Sequence, residues 1–382
     1  MRHLLQQFRT GAVSAAVAAA ELEISVRRFY GLWQSYLQAV AQRRAARWQP
    51  GASGGNHRPA WPPAVTALIR KLLASRPPCP YSFVASEVHR RWNHQLDRAS
   101  VRRWALAQGL APATPAPRRP RPVRRWQVQQ VGQLWQYDAS PHRWFVGQDW
   151  QPPLLEILDD HSRVIAGARL YPRETLLAHL DFLGHSFRTV GLPLCLYVDY
   201  HSFFFTHSPE ALTQLGAALR FYGVSLRYAP TPQAKGKIER AHLFWQNRLP
   251  PLFIAESVTD IAAANPWIEQ LRTHHNRAER HRELGTTPQR VWQQAKREGR
   301  FALRAAPACP WWPYVFSQRT SVRVDPEGRV GVGSQRLRIE QPPGRRAIRC
   351  HHYNGAISIL EGAPDVTRKP VLLLHSPSPQ AQ

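Results

Sequence analysis

The spacing of apolar positions changes character along the chain. Residues 1–48 read as helical. In "AAVAAAELEISVRRFYGLWQSYL" an Ala-rich helix is followed by a short break near Glu23–Ser25. A second helix then carries Val26, Phe29, Leu32, Trp33 and Tyr36 at core spacing. Arg27 and Arg28 begin that helix on its other face. This is the outline of a helix-turn-helix, whose second helix enters a major groove. Residues 49–63, "QPGASGGNHRPAWPP", read as a Gly/Pro linker.

Residues 64–110 repeat the scheme with "AVTALIRKLL", "YSFVASEVHRRW" and "DRASVRRWALAQGL". The last helix is capped by Asp97 or Ser100 and stopped by Gly109. Arg98, Arg102 and Arg103 cluster at its start, where a reading helix needs donors for phosphates and guanine edges. The simpler reading is a solvated basic face. Residues 111–125, "APATPAPRRPRPVRR", predict an extended connector. Its Arg118, Arg119 and Arg121 are placed to follow a phosphate backbone.

After residue 126 the pattern becomes that of strands. "QLWQYDA" (133–139), "PLLEILDD" (153–160) and "RVIAGARLY" (163–171) predict three strands, followed by a helix over 173–190. "LCLYVD" (194–199) and "VSLRYA" (224–229) are two more strands, separated by a helix over 209–222. A helix over 234–249 follows, then further helices through residue 300. This order predicts a mixed sheet with helices packed on it, an α/β domain over 126–300. Short alternating pieces joined by "DPEG" and "YNGA" turns predict a small β-barrel over 310–365. Residues 366–382 are Pro/Ser-rich and predict a disordered tail.

Charge sharpens this picture. The 382 residues carry a formal +26, and the first 125 hold 21 Lys and Arg against 4 Asp and Glu, which is +17 of that total. Such a balance points to a polyanion partner, most simply nucleic acid, anchored by the first third. The four cysteines are far apart with no CxxC pair, so reduced thiols and no structural zinc are expected. "GAVSAAVAAA" is followed at once by Glu21 and Glu23 and reads as a helix rather than a secretion signal. No apolar run is long enough to span a membrane. A GxSxG elbow and a GxxxxGK[ST] loop are both missing, which argues against a serine hydrolase and against a nucleotide cofactor.

Three acids remain as candidate chemistry. Asp138 ends the first predicted strand of the α/β domain, and Asp199 ends the fourth. Glu239 begins the helix after the fifth, among Lys235, Lys237 and Arg240. Carboxyl ends of neighbouring strands face one crevice. Clustered carboxylates need a cation, and an all-oxygen set favours Mg²⁺ or Mn²⁺. Two such ions can clamp a phosphodiester, and the three basic residues can hold its phosphates. Each acid also has an ordinary reading, Asp138 as a strand-end cap, Asp199 as a turn residue, Glu239 as the i+4 partner of Lys235. Asp159 and Asp160 read as turn formers before Ser162, with Asp159 a possible auxiliary.

"WQYDASPHRWF", "LLEILDDHSRVIAGARLYPRET", "LYVDYHSFFF", "YAPTPQAKGKIERAHLFWQNRLP" and "HHNRAERHRELGTTPQRVW" together resemble the core of DDE transposases and retroviral-type integrases, nearest to the bacterial ISNCY insertion-sequence branch. The resemblance covers about residues 126–295. It implies an RNase H-like fold and the triad Asp138, Asp199 and Glu239 with two Mg²⁺ or Mn²⁺ ions. It further implies nicking at element ends, strand transfer by the freed 3′-hydroxyl, a homo-oligomer on DNA, and action in the cytoplasm at the bacterial nucleoid. Many relatives carry Asp-Asn-Gly where this chain has Asp199-Tyr200-His201, and Lys or Arg where it has Gln246, with Arg248 two residues on as the remaining DNA contact. Two other functions share these features: a regulator that binds DNA without cutting it, and a metal-dependent nuclease that cuts without joining.

Overall fold

The computed structural model describes residues 1–42, 61–76, 78–110, 126–200, 202–205, 213–230, 232–332, 335–340, 342, 344–365, 367 and 369–377. Most of the expected linker over 49–63, all of the connector over 111–125 with Arg118, Arg119 and Arg121, and residue His201 lie outside these. The chain forms two compact units, Met1–Trp61 and Pro62–Gln382.

The first unit holds α1 (Arg2–Arg9), α2 (Ala15–Glu21) and α3 (Val26–Ala41). Ser14 and Ser25 cap α2 and α3 through their side-chain oxygens. The chain reverses between them with Glu23 at φ +53. Ala15, Ala18 and Ala19 are small enough to bring α2 close to Leu5 and Phe29. Phe8 meets both Phe29 and Trp33 edge-to-face. Arg27 and Arg28 are exposed on the first turn of α3.

The second unit begins with α4 (Pro63–Ala74), α5 (Tyr81–Trp92) and α6 (Arg98–Ala107). Asp97 caps α6, and Arg98, Arg102 and Arg103 are exposed on it. The sequence reads this segment as a module separate from the α/β domain; the structure joins the two in one body. The joint is made by side chains of α5. Arg91 pairs with Glu256 at 2.9 Å, and Arg90 lies over the Trp267 ring.

The central sheet contains β1 (Trp135–Pro141), β2 (Pro153–Asp159), β3 (Ile165–Leu170), β4 (Cys195–Val198) and β5 (Ser225–Tyr228), in the order β3-β2-β1-β4-β5. β1, β2 and β3 are antiparallel neighbours, while β4 and β5 run parallel to β1. This order and polarity are those expected of an RNase H-like fold. α7 (Leu176–Val190) packs Phe182 and Phe187 against Trp135, Tyr137, Leu155 and Ile157, and α8 (Gln214–Phe221) joins the same core. Each such buried side chain contributes about 1.5–3 kcal/mol. On the other face lies α9 (Gly236–Gln246), entered through a 3-10 turn over Pro232–Lys235 and followed by α10 (Leu249–Ala255), α11 (Ile261–Ala278) and α12 (Pro288–Arg297). No helix among the described residues is long and apolar enough to cross a membrane.

Beyond α12 the chain returns to the core. Phe301 bridges to Val131 and Arg304 to Leu192. The Arg304 guanidinium donates to the carbonyls of Tyr222 and Gly223 at 2.9 Å each. Gly132 sits at φ +74, where a Cβ would come within 2.6 Å of Leu303. The short helix α13 (Trp312–Val315) places Trp312 and Val315 in the main core, with Phe316 following.

Among the described residues six strands follow: β6 (Gln318–Arg323), β7 (Arg329–Val332), β8 (Gln335–Arg338), β9 (Arg346–His351), β10 (Ile357–Leu360) and β11 (Leu372–Ser376). Among the described residues they do not close into the expected barrel. β7 and β8 pair with each other, which leaves an open four-stranded sheet ordered β11-β10-β9-β6. β11 also corrects the expectation of a disordered tail from residue 366. Leu372–Ser376 adds to the edge of β10, with Leu373 and Leu374 against the small core of Val324, Val330 and Ile359. Residues 378–382 lie outside the described set.

Candidate active site

Alternation along β1 sends Tyr137 to the α7 face and Gln136 and Asp138 to the α9 face. Gln136 accepts from Ile238 N at 3.3 Å, which ties the start of α9 to the strand. Asp138 is the fourth of seven residues in β1, so it lies within the strand rather than at its end as expected. Asp199 follows β4 directly, and Glu239 is in the first turn of α9. The three acids line a single cavity of about 300 Å³ with Tyr200, Ala229, Pro230 and Lys235.

Lys235 is buried there. Its Nζ lies 2.7 Å from Asp138 Oδ1 and 3.9 Å from Asp199 Oδ2. It therefore faces the acids, not a solvent phosphate, and its i+4 pairing with Glu239 gives way to this contact. Burial pushes the Asp138 carboxyl up, Lys235 pulls it down, and Asp199 pushes it up again. The donor set is all oxygen, and the ammonium stands where a cation would balance two carboxylates. As the side chains stand, no three His, Cys, Asp or Glu among the described residues are arranged to hold a metal ion.

The other expected phosphate contacts are distributed differently. Lys237 reaches Asp160 Oδ1 at 2.5 Å and lies over the Trp126 ring. Arg240 is exposed and paired with Glu283. Arg248 is turned inward, 2.7 Å from Glu279 and 3.8 Å from the centre of the Phe244 ring. Burial pushes the Glu279 carboxyl up, but Arg248 and His275 outweigh it and hold Glu279 well below the usual range. Gln246 donates to Ser140 Oγ at 3.1 Å, two turns of α9 beyond Glu239. Asp159 is fully buried and accepts from Gly132 N, Trp135 Nε1 and both donors of Ser162. Oδ1 thus serves the turn at Ser162, as expected of a turn former, while Oδ2 ties Gly132 and Trp135 to it.

Beneath Asp138 lies a group that the sequence reading passed over. Glu156 is the Cα partner of Asp138 across β1 and β2, and it is fully buried. It accepts from Trp245 Nε1 at 2.9 Å, and its other oxygen is 3.6 Å from His242 Nε2. The opposite nitrogen of His242 is 4.0 Å from Asp138 Oδ2. Burial raises the Glu156 carboxyl to about 8 and lowers His242 to about 4, which favours the neutral form of each. The signal was an acid inside the apolar run "LLEILD", and a His three residues after Glu239 on the same helix.

No model of a protein family matches the chain. It is 28% identical over 226 residues to the putative transposase y4bF of Sinorhizobium fredii, covering 54% of this chain and 50% of that protein. It is 32% identical over 145 residues to the transposase for insertion sequence IS1202 of Streptococcus pneumoniae, covering 36% of this chain and 31% of that protein. The chain is thus similar over part of its length to two proteins named as transposases, one of them that of an insertion sequence. It spans half or less of the length of the transposases it matches. Among solved structures, the catalytic core domain of HTLV-2 integrase in complex with magnesium aligns with 42% of the chain and 97% of that core, at 15% identity and a TM-score of 0.35.

Proposed function

We propose that the chain is a DNA transposase that binds insertion-element ends, nicks them and joins the freed 3′-hydroxyl to a target strand. The observation that carries this is the convergence of Asp138, Asp199 and Glu239 on one cavity, in a chain related to transposases. The all-oxygen donors suit Mg²⁺ or Mn²⁺, two per site, held by these three carboxylates. Bound there, such ions lend Lewis acidity to an attacking oxygen and a leaving oxygen. Lys235 must leave Asp138 for that to happen, and the phosphate it then faces gives its ammonium a new anion.

The exposed arginines serve the polyanion. Arg27 and Arg28 on α3, and Arg98, Arg102 and Arg103 on α6, would set the protein on element ends. Arg240 would swing from Glu283 to the backbone near the cut. Two ends must be brought together for joining, so a homo-oligomer on DNA, in the bacterial cytoplasm, is part of the reading.

Strand transfer tests it, using the labelled flanking ends and supercoiled target in Mg²⁺, for the wild type and Glu239→Gln. Joining by the wild type alone supports the proposal. Binding without cleavage by either protein would make the chain a regulator, and cleavage without joining a nuclease.

A further inference from the structure

Beside the acid cavity stands an aromatic side chain that the reading above leaves without a task. Tyr200 follows Asp199 directly and lines the same cavity, and among the described residues it is part of none of the apolar core clusters. It is 56% exposed, among the most exposed large hydrophobic side chains of the described residues.

Its orientation is fixed by neighbours on one side. The Tyr228 ring stacks on it, centroids 5.0 Å apart and planes 16° from parallel. Phe205 meets both rings edge-on, at 5.2 Å from Tyr200 and 5.7 Å from Tyr228. Tyr228 is itself anchored, since its hydroxyl donates to the Phe204 carbonyl at 2.7 Å. A stack of two rings is thus built, with Tyr228 of β5 on one face of Tyr200 and, among the described residues, no ring on the other.

We propose that Tyr200 is a stacking platform for one unpaired base adjacent to the reacting phosphate. This rests on the reading of the cavity as the place of phosphodiester chemistry. An open π-face next to carboxylates cannot recognise a phosphate, but it matches the one flat, apolar part of a nucleotide. A base inside a duplex has both faces covered by its neighbours. The platform therefore selects a frayed, flipped or overhanging nucleotide. Because every base has a π-face, Tyr200 selects for the unpaired state and not for sequence. With the base held on Tyr200, its phosphate is kept from rotating away from Asp138 and Glu239, a gain of position alone.

Competition binding without divalent metal tests this on the full chain. The probes are one duplex with a short oligothymidylate overhang and the same duplex with an abasic overhang. The wild type prefers the base-bearing overhang by about 5- to 150-fold, the range for one stacked base. Tyr200→Ala brings the ratio close to one, and Tyr200→Phe keeps it. The ratio divides out binding by the arginines and any general loss of fold. With 5-iodouracil in the overhang, irradiation of the wild type yields an adduct on Tyr200. A wild-type ratio of one, a ratio unchanged in Tyr200→Ala, or adducts confined to other aromatic residues such as Trp126 would overturn the proposal. Glu239→Gln keeps the ratio, so loss of joining activity and loss of base stacking are separate outcomes.

Discussion

The Nζ of Lys235 lies 2.7 Å from Oδ1 of Asp138. Under the proposed function an internal ammonium occupies the ground that a divalent ion would take, and the two would compete. A unit charge at roughly 4 Å interacts by several kcal/mol even at an effective dielectric of about 20. Lys235→Gln should therefore bind Mn²⁺ about tenfold more tightly in the absence of DNA, read by calorimetric titration. It should also melt at lower temperature without metal and gain more from its addition. Equal affinity in the two proteins would mean that the ammonium does not block the site.

Glu156 gives the fold a pH dependence of definite sign. Its carboxyl is raised by burial to about 8, from an ordinary value near 4.5. Between those values the unfolded chain releases the proton and the folded chain keeps it, so stability falls as pH rises through this window. Below it neither state is penalised. Glu156→Gln keeps an acceptor for Trp245 and cannot ionise. It should be more stable than the wild type at pH 8 by on the order of a few kcal/mol, with the difference vanishing near pH 4.5. Urea denaturation at both pH values measures this, and a constant difference would refute it.

Arg248 should matter for stability and not for DNA. Its guanidinium is sandwiched near Phe244 and Phe83 and paired with Glu279. Arg248→Met leaves a buried carboxylate with one partner fewer, a loss of about 3–5 kcal/mol. Its affinity for an element end, measured below the melting transition, should stay within twofold. A large loss of affinity with unchanged stability would return Arg248 to the DNA interface.

The exposed arginines should behave in the opposite way. Arg27→Ala, Arg28→Ala and Arg98→Ala should leave the melting temperature unchanged and weaken binding. Each phosphate contact removed should lower the slope of log K against log salt by about 1. Fluorescence anisotropy over a salt series gives the slopes; unchanged slopes would assign these residues to a solvated face.

The order of strands and helices from Trp135 to Arg297 was legible because each element has one dominant period and a turn residue at its end. Of the three candidate acids, Asp199 after β4 and Glu239 in the first turn of α9 stand at element ends as the sequence suggested, whereas Asp138 lies inside β1. The contact of Lys235 with Asp138 was not legible: the sequence offered Glu239 or a phosphate as its partner, and spacing does not show the short 3-10 turn that carries Lys235 to β1. Arg248 looked like a surface charge for the same reason: only the folded chain brings Phe83 and Glu279 to it. The barrel failed on pairing, as alternation tells which residues form strands but not that β7 chooses β8 over β6. β11 was hidden by its Pro- and Ser-rich surroundings.

Trp312, Val315 and Phe316 sit in the same core as Trp135 and Phe187, and Arg304 ties the carbonyls of Tyr222 and Gly223 on the way there. A premature stop codon just after Glu298 would leave every candidate catalytic acid encoded and still produce a ruined protein. Such a late truncation should thus abolish folding of the domain although it touches none of the three acids.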